Sequence, residues 1–174
     1  MRRLIGLEVD VLSESVIEIA TDIVYTTEAT KVDADFLNKI KKKHGWQFNW
    51  SKEYKTHYRE IFKLSIREKE SILLGLISFE LKDDHVHVHL VESSPQNKGK
   101  EKKYLGIGGN LFAFACKISY ENGYEGVIAF YAKTKLIEYY SVTLGAVLVT
   151  NNRMVIPERN AIFLLSKYYK DEKY

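Results

Sequence analysis

Only one cysteine, Cys116, occurs in this chain, which excludes an intramolecular disulfide framework and leaves the fold to be held by its core. Proline is nearly as scarce. Pro95 and Pro157 are the two present, so no proline-rich linker divides the chain, and no internal repeat or low-complexity block does so either. No apolar run approaches the roughly 18 residues of a membrane-spanning helix, so no membrane partner is expected. Charge of one sign is also in short supply: a formal net charge of +3 is too mild to demand nucleic acid, and no nucleic-acid partner is expected. Met1-Arg2-Arg3 is basic, but Leu4-Ile5-Gly6-Leu7 runs straight into Glu8 and Asp10, so no signal-peptide core is predicted and a cytoplasmic location follows. A Gly-Lys-Ser/Thr phosphate loop is missing throughout. Gly106-Ile107-Gly108, followed by Leu111, does not complete the dinucleotide fingerprint G-x-G-x-x-G/A.

The chain does have apolar mass. With 174 residues, 45% of them hydrophobic and 28% charged, it is predicted to be one globular domain over residues 1–174 with a sizeable core. Residues 4–12 and 16–25 are β-branched and partly alternating, which predicts an N-terminal hairpin turned at Ser13-Glu14-Ser15. A helix is predicted over 33–43, capped by Asp33, with Phe36, Leu37 and Ile40 on one face and Lys39, Lys41, Lys42 and Lys43 near its negative pole; His44-Gly45 closes it. Trp46, Phe48 and Trp50 fall on one side of an extended segment. They are either a ledge that packs the N-terminal part onto a sheet or the lining of an acceptor pocket. Strands over 58–67 and 71–81, joined at Glu68-Lys69-Glu70, lead through Asp83-Asp84 into a third strand over 86–91, making a meander.

Downstream, Lys103-Tyr104-Leu105-Gly106-Ile107-Gly108-Gly109-Asn110-Leu111 places three glycines between a strand and a helix. The helix stripe is Ile107, Leu111, Phe114, Ala115 and Ile118, and Asn122-Gly123 ends it. Glycines let backbone N–H groups approach an anion, and a helix start adds unpaired donors and the positive dipole end, so this order favours phosphate. A strand over 126–131 follows. Thr134 is predicted to cap a helix whose inward stripe is Leu136, Ile137, Tyr140 and Leu144, with Tyr139 outward. Short strands over 147–149 and 154–156 and a helix over 158–169 complete the chain.

Lys103-Tyr104-Leu105-Gly106-Ile107-Gly108 resembles the coenzyme A loop Gln/Arg-x-x-Gly-x-Gly/Ala of the Gcn5-related N-acetyltransferase (GNAT) family. Lys103 keeps a donor at the first position but loses the planar fork, and residues 92–102 lengthen the connection from the preceding strand. Tyr139-Tyr140 followed by Leu144-Gly145-Ala146 is similar to the family's Phe-Tyr-x-x-x-Gly-Phe segment with one extra residue. The resemblance spans about residues 57–150 and leaves a divergent N-terminal part of about 1–56. It implies a mixed α/β (α+β) fold: a central, mostly antiparallel twisted sheet with splayed central strands and flanking helices. It also implies an N-acetyltransferase that moves an acetyl group from acetyl-CoA to a primary amine by direct attack in a ternary complex. The alternative is a non-catalytic acyl-CoA-binding or protein-interaction domain. Coenzyme A would be held by Leu90, Val91, Lys103, Leu105, Gly106, Ile107, Gly108, Gly109 and Asn110, with the Lys98–Lys103 run either solvated or reaching the adenosine 3′-phosphate. The acceptor would be a small-molecule or peptide amine, and a homodimer is compatible with the chain.

His85, His87 and His89 lie at spacing two and project from one strand face. They could be structural, could bind a metal, or could serve catalysis; certain arylalkylamine-type acetyltransferases resemble this in using an HxH pair as base or relay, matched here by His87 and His89. Glu92 competes with His89 as base and is slightly preferred. Strict alternation puts it opposite the histidines unless a bulge re-aims it, and GNAT-like folds have such a bulge. The fold implies that backbone N–H at Val91 holds the oxyanion and that Tyr140 protonates the leaving sulfur, although a gapless match would put Ser141 at the acid position. Cys116 reads as core.

Overall fold

The computed structural model describes residues 9–174. Strand β1 (Val9–Glu18) turns into β2 (Val24–Lys31), and two short helices follow, α1 (Ala34–Leu37) and α2 (Trp50–Lys55). The meander β3 (Glu60–Ile66), β4 (Lys69–Leu81) and β5 (Val86–Ser93) comes next. A loop then leads to the two-residue strand β6 (Tyr104–Leu105) and the long helix α3 (Ile107–Glu121). The chain ends with β7 (Ile128–Tyr131), α4 (Ile137–Leu144), β8 (Val147–Thr150), β9 (Arg153–Ile156) and α5 (Glu158–Tyr168). The nine strands of the described residues join one sheet in the order β6-β1-β2-β3-β4-β5-β7-β9-β8. Every neighbouring pair is antiparallel except β5 and β7. This is the mixed α/β architecture expected from the sequence, with a mostly antiparallel sheet and flanking helices.

Strand alternation divides the core between two faces. Phe62, Leu64, Ile77 and Phe79 turn to one side, where Phe114 of α3 packs against Phe62 and Phe79 and α5 covers the helix. Ile61 and Leu76 turn to the other, where they meet Val32, Leu37, Ile40, Trp46 and Trp50. Trp46 and Trp50 therefore form the ledge, while Phe48 between them is only partly buried. Helix α3 is enclosed nearly all round, which explains why Cys116 is fully buried; burial pushes its thiol far above the ordinary value, and it has no chemistry to offer. Among the described residues no helix is long and apolar enough to cross a membrane.

Three local expectations are corrected. The first hairpin turns over residues 19–22, with Asp22 at φ 55°, and the Ser13–Ser15 segment is a bulge within β1 between Leu12 and Val16. That bulge brings the Ser15 carbonyl so close to Gly106 (φ 90°) that a Cβ there would stand 2.6 Å from the oxygen. Residues 4–8 of the expected strand, like the basic start Met1-Arg2-Arg3, lie outside the described residues. The helix expected over 33–43 is only α1: Asp33 caps it by accepting from Phe36 N–H at 2.8 Å, and it stops at Asn38. A helix this short has little stability of its own, so burial of Leu37, Ile40, Trp46 and Trp50 decides the path instead. Gly45 does close the following 3-10 turn in the left-handed region. Finally, Thr134 begins a 3-10 turn and caps nothing, and Leu136 falls in that turn ahead of the helix, yet the rest of the stripe is as expected: Ile137, Tyr140 and Leu144 pack inward while Tyr139 is 59% exposed.

Candidate active site

β5 and β7 pair only at Val86↔Ile128, His87↔Ala129 and Val88↔Phe130. Beyond Val88, β5 runs on to Ser93 while β7 ends at Tyr131. The strands part, and a cleft of about 420 Å³ opens between them. These are the splayed central strands expected from the sequence. His89, Leu90, Val91, Glu92 and Tyr140 all line the cleft, with Phe48, Asn97, Lys98, Phe112, Phe130 and Lys133.

The β4–β5 ladder carries a bulge. Ser78 pairs with Leu90 and Phe79 with Val88, so His89 is the additional residue. Val86 and Val88 face the α3 side with Phe79, whereas Leu90 packs toward Leu76 and Trp50 on the other side, and Glu92, opposite Leu76, follows it. The bulge therefore puts Glu92 on the same face as His87, the re-aiming that the sequence reading allowed for.

Glu92 is 4% exposed and fully engaged. Its Oε1 accepts from Gln47 N–H at 2.5 Å and from Lys98 Nζ at 2.6 Å; its Oε2 accepts from Trp50 Nε1 at 2.7 Å and from Phe48 N–H at 3.4 Å. Burial pushes its pKa up, but the bonds from Lys98, Gln47 and Trp50 outweigh that and hold it below the usual carboxylate range. Lys98, in turn, is committed to Glu92 and lies over the Trp46 ring.

His89 has a different setting. Its Nε2 lies 3.0 Å from Glu80 Oε2, which also accepts from Arg59 at 2.6 Å, while Glu80 Oε1 accepts from Lys82 at 2.7 Å. Arg59 continues to Glu53, and Glu53 accepts from Ser78. Burial lowers the His89 pKa below the ordinary value, Glu80 offsets part of that, and the Arg59 charge lowers it again. The ring of His87 stands edge to face against His89 at 4.5 Å; burial and the neighbouring histidines lower its pKa to about 4. His85 pairs with Asp84 at 2.6 Å. The three rings thus meet edge to face in a row, and among the described residues no group of three or more His, Cys, Asp or Glu side chains is placed to hold a metal ion.

A second, broader cavity of about 990 Å³ lies on the histidine face, lined by Tyr58, Glu60, Glu80, His85, His87 and Arg153 among others. His89 and Tyr131 line both cavities, so they form the partition between basin and cleft. Across the cleft, the Tyr140 ring is held by Phe112 and Phe130 at 5.4 and 5.3 Å, and burial raises its pKa, keeping the phenol protonated.

The glycine loop lies apart from the cleft lining. The Lys103 carbonyl accepts from Ile19 N–H, Leu105 pairs with Ile17 of β1, and Asn110 is buried, accepting from Ser15 and Thr27 and donating to the Gly106 carbonyl. The Asn110 side chain is thereby removed from the ligand-binding set. The helix ladder starts at Asn110 N–H, so the N–H groups of Ile107, Gly108 and Gly109 have no intrahelical acceptor. A Cβ at Gly108 would meet open space, whereas one at Gly109 would strike the Tyr168 hydroxyl.

Sequence reasoning missed Glu80, Arg59 and Glu53. The signal for Glu80 was present, since it follows Leu76 and Ser78 on an inward-facing row of a strand where a charge needs a partner. Three of the four partners of Glu92, namely Gln47, Phe48 and Trp50, lie 42 to 45 residues away and left no local mark.

No family model matches the chain, and no curated protein matches it. Solved structures do. A chimera of the spermidine N-acetyltransferase SpeG from Vibrio cholerae and hSSAT aligns with TM-score 0.54 at 12% identity, over 79% of this chain and 98% of that one. A dodecameric spermidine N-acetyltransferase from Vibrio cholerae gives 0.52 at 15% identity, over 76% and 94%. AtaTR bound with AcCoA gives 0.53 at 11% identity, over 79% and 97%. At these identities the likeness is one of fold.

Proposed function

Starting from a chain that has the GNAT fold, we propose that it is an acetyl-CoA-dependent N-acetyltransferase acting on a primary amine. The observation that carries this reading is the parting of β5 and β7 beyond Val88, which opens a cleft that both His89 and Tyr140 line. The fit to the donor rests on three features. The cleft is lined by apolar rings as well as polar side chains; Lys133 adds a cation at its wall; and three N–H groups at the start of α3 lack helix partners, with open space at Gly108. Leu90, Val91 and the Ile107–Gly109 backbone would hold the coenzyme, which when bound supplies an acyl group on a thioester.

The chain's own residues divide the remaining work. His89, neutral near pH 7 because its pKa is lowered, takes the proton of the amine at the partition between basin and cleft. The Tyr140 hydroxyl, protonated because burial raises its pKa, gives a proton to the departing sulfur. Glu92 is assigned a different part from the one preferred on sequence. Four donors fill its oxygens and its pKa is lowered, so it fastens the Trp46–Trp50 segment to the end of β5 and leaves the proton to His89. For the homodimer, the surface we assign is the edge of β8, unpaired among the described residues: Val147, Leu148 and Val149 are exposed and the strand carries neither charge nor proline, so its guards against pairing are only its four-residue length and its bulge against β9.

Titration calorimetry with acetyl-CoA and coenzyme A, followed by an acceptor screen over small and peptide amines, tests the reading. Binding with turnover of one amine class, lost in Tyr140→Phe, is the expected result. Binding without turnover of any amine would favour the non-catalytic acyl-CoA-binding alternative, and no binding would remove both.

A further inference from the structure

We propose that Glu80 is the positioning residue of the base, holding His89 as its Nε2–H tautomer so that Nδ1 is the bare nitrogen that takes the amine proton. The inference rests on the acetyltransferase reading for its chemistry, though its geometry stands apart from it. Glu80 faces three cationic or potentially cationic groups: Lys82 on Oε1, and Arg59 and His89 on Oε2. A carboxylate in that company stays ionised, and an ionised carboxylate can only accept. At 3.0 Å, His89 Nε2 must therefore carry the hydrogen, and in a neutral imidazole the other nitrogen then carries none. The groups facing this pair are known from every side. They are Arg59 ahead of β3, Glu53 of α2, Lys82 after β4, His85 just ahead of β5, His87 of β5, and Tyr131 of β7.

Two features make the arrangement more than a surface ion pair. His89 is the bulge residue of β5, so its ring leaves the ordinary alternation, and it lines both the histidine basin and the cleft. Arg59 then fixes Glu80 from behind, bound at the same time to Glu53, whose Oε1 also accepts from Ser78. The chain of contacts runs from α2 through Arg59 and Glu80 to the imidazole, and it sets the angle of the ring as well as its tautomer. The proton step balances without a further reactant: an N–H bond of the acceptor's ammonium breaks, a Nδ1–H bond forms, and the amine keeps the electron pair. The imidazolium produced faces the Glu80 carboxylate. Because Lys82 and Arg59 hold that carboxylate ionised, the proton stays on the ring until solvent in the basin removes it.

The test begins with the unaltered full chain labelled with nitrogen-15 histidine, the His89 signals being assigned by comparison with His89→Gln. The nitrogen shifts report the tautomer directly, with neither ligand nor turnover. We expect Nε2 protonated and Nδ1 bare near pH 7.5. In Glu80→Gln the imidazolium loses its facing anion while Arg59 and Lys82 remain, so the His89 titration moves down by about one pH unit. The acid limb of kcat/KM moves with it, kcat falls about tenfold, and the KM for acetyl-CoA is unchanged. A residue that merely braced the fold would shift neither the titration nor the acid limb. An Nδ1–H tautomer in the unaltered protein overturns the proposal even if Glu80→Gln fails to fold, and so does a His89 titration that ignores the substitution. The Nε2–H tautomer together with the downward shift upholds the pairing even if no amine is acetylated; that last result would count against the acetyltransferase reading alone.

Discussion

Glu92→Gln separates the two parts that Glu92 could play. The carboxylate is almost completely buried and accepts from Gln47, Phe48, Trp50 and Lys98. Glutamine has nearly the same shape but only one acceptor end. Whichever way the amide turns, its NH2 faces two donors, so either the Gln47 and Lys98 pair or the Phe48 and Trp50 pair loses its acceptor, and the Lys98 charge loses its counter-ion. Removing one partner of a buried ion pair costs about 3–5 kcal/mol. The Lys98 side chain is 28% exposed and can turn to water, which places the expected loss at about 3 kcal/mol. Urea denaturation followed by tryptophan fluorescence reads it, because Trp50 is itself one of the donors. The pH dependence carries the same sign. The folded pKa of Glu92 is depressed, so its contribution is full above the unfolded value of about 4.3 and disappears as pH falls through the folded one; Glu92→Gln should lack that acid-side decline. An unchanged urea midpoint together with abolished turnover would refute the reasoning and return Glu92 to the role of base.

Other perturbations test other parts of the site. Gly108→Glu adds a carboxylate at the start of α3 where a Cβ meets nothing, so the helix should gain about 0.3–1 kcal/mol while affinity for coenzyme A falls at least tenfold; Gly108→Ala should bind normally. Calorimetry alongside thermal melting would show whether those effects take opposite signs, and equal binding by both variants would place the diphosphate elsewhere. Tyr140→Phe should lower kcat by 10²-fold or more and leave melting unchanged within about 0.5 kcal/mol, since ring contacts with Phe112 and Phe130 hold the side chain. Leu148→Lys should convert a dimer to a monomer in analytical ultracentrifugation without loss of secondary structure, and a species of unchanged size would remove the β8 edge as the interface.

What the sequence revealed well was what local periodicity controls. The α3 stripe from Ile107 to Ile118, the β5 alternation and the inward Tyr140 with outward Tyr139 all follow from residues within one or two turns of each other. Where tertiary contacts set the path, local pattern misled. Ser13-Glu14-Ser15 has the polarity of a turn, yet Ser15 is used against Gly106 and Asn110, residues that lie in α3 and its cap, so the strand bulges and continues. Asp33 to Lys43 has a fair helical face, yet the Trp46 and Trp50 indoles pull the chain off that axis. The glycine loop was legible as a helix start, but its tether to β1 through Leu105 and Ile17 was not, because strand pairing across some 88 residues leaves no spacing rule to read.

The bulge at His89 is the point where legible and illegible meet. Alternation along Val86-His87-Val88-His89-Leu90-Val91-Glu92 is clear in sequence, but the face of each residue beyond the bulge depends on one unpaired position, because a shift of one residue reverses every later side chain. Were His89 paired in the ladder instead of bulging, Glu92 would turn toward the α3 side, away from the Trp50, Gln47, Phe48 and Lys98 donors that hold it. A buried carboxylate there would be unpaired, and Trp50 would lose its acceptor. The bulge therefore serves two ends of one strand: it turns His89 out of the ladder toward Glu80 and returns Glu92 to the face where its donors stand. It follows that deleting His89 should spare Glu92: Leu90 would then follow Val88 in a regular ladder with Glu92 still opposite Leu76, so the deletion should stay within about 1 kcal/mol of His89→Gln. If the His89 deletion proved less stable than His89→Gln in urea by the roughly 3 kcal/mol assigned to Glu92, the register assigned beyond the bulge would be wrong.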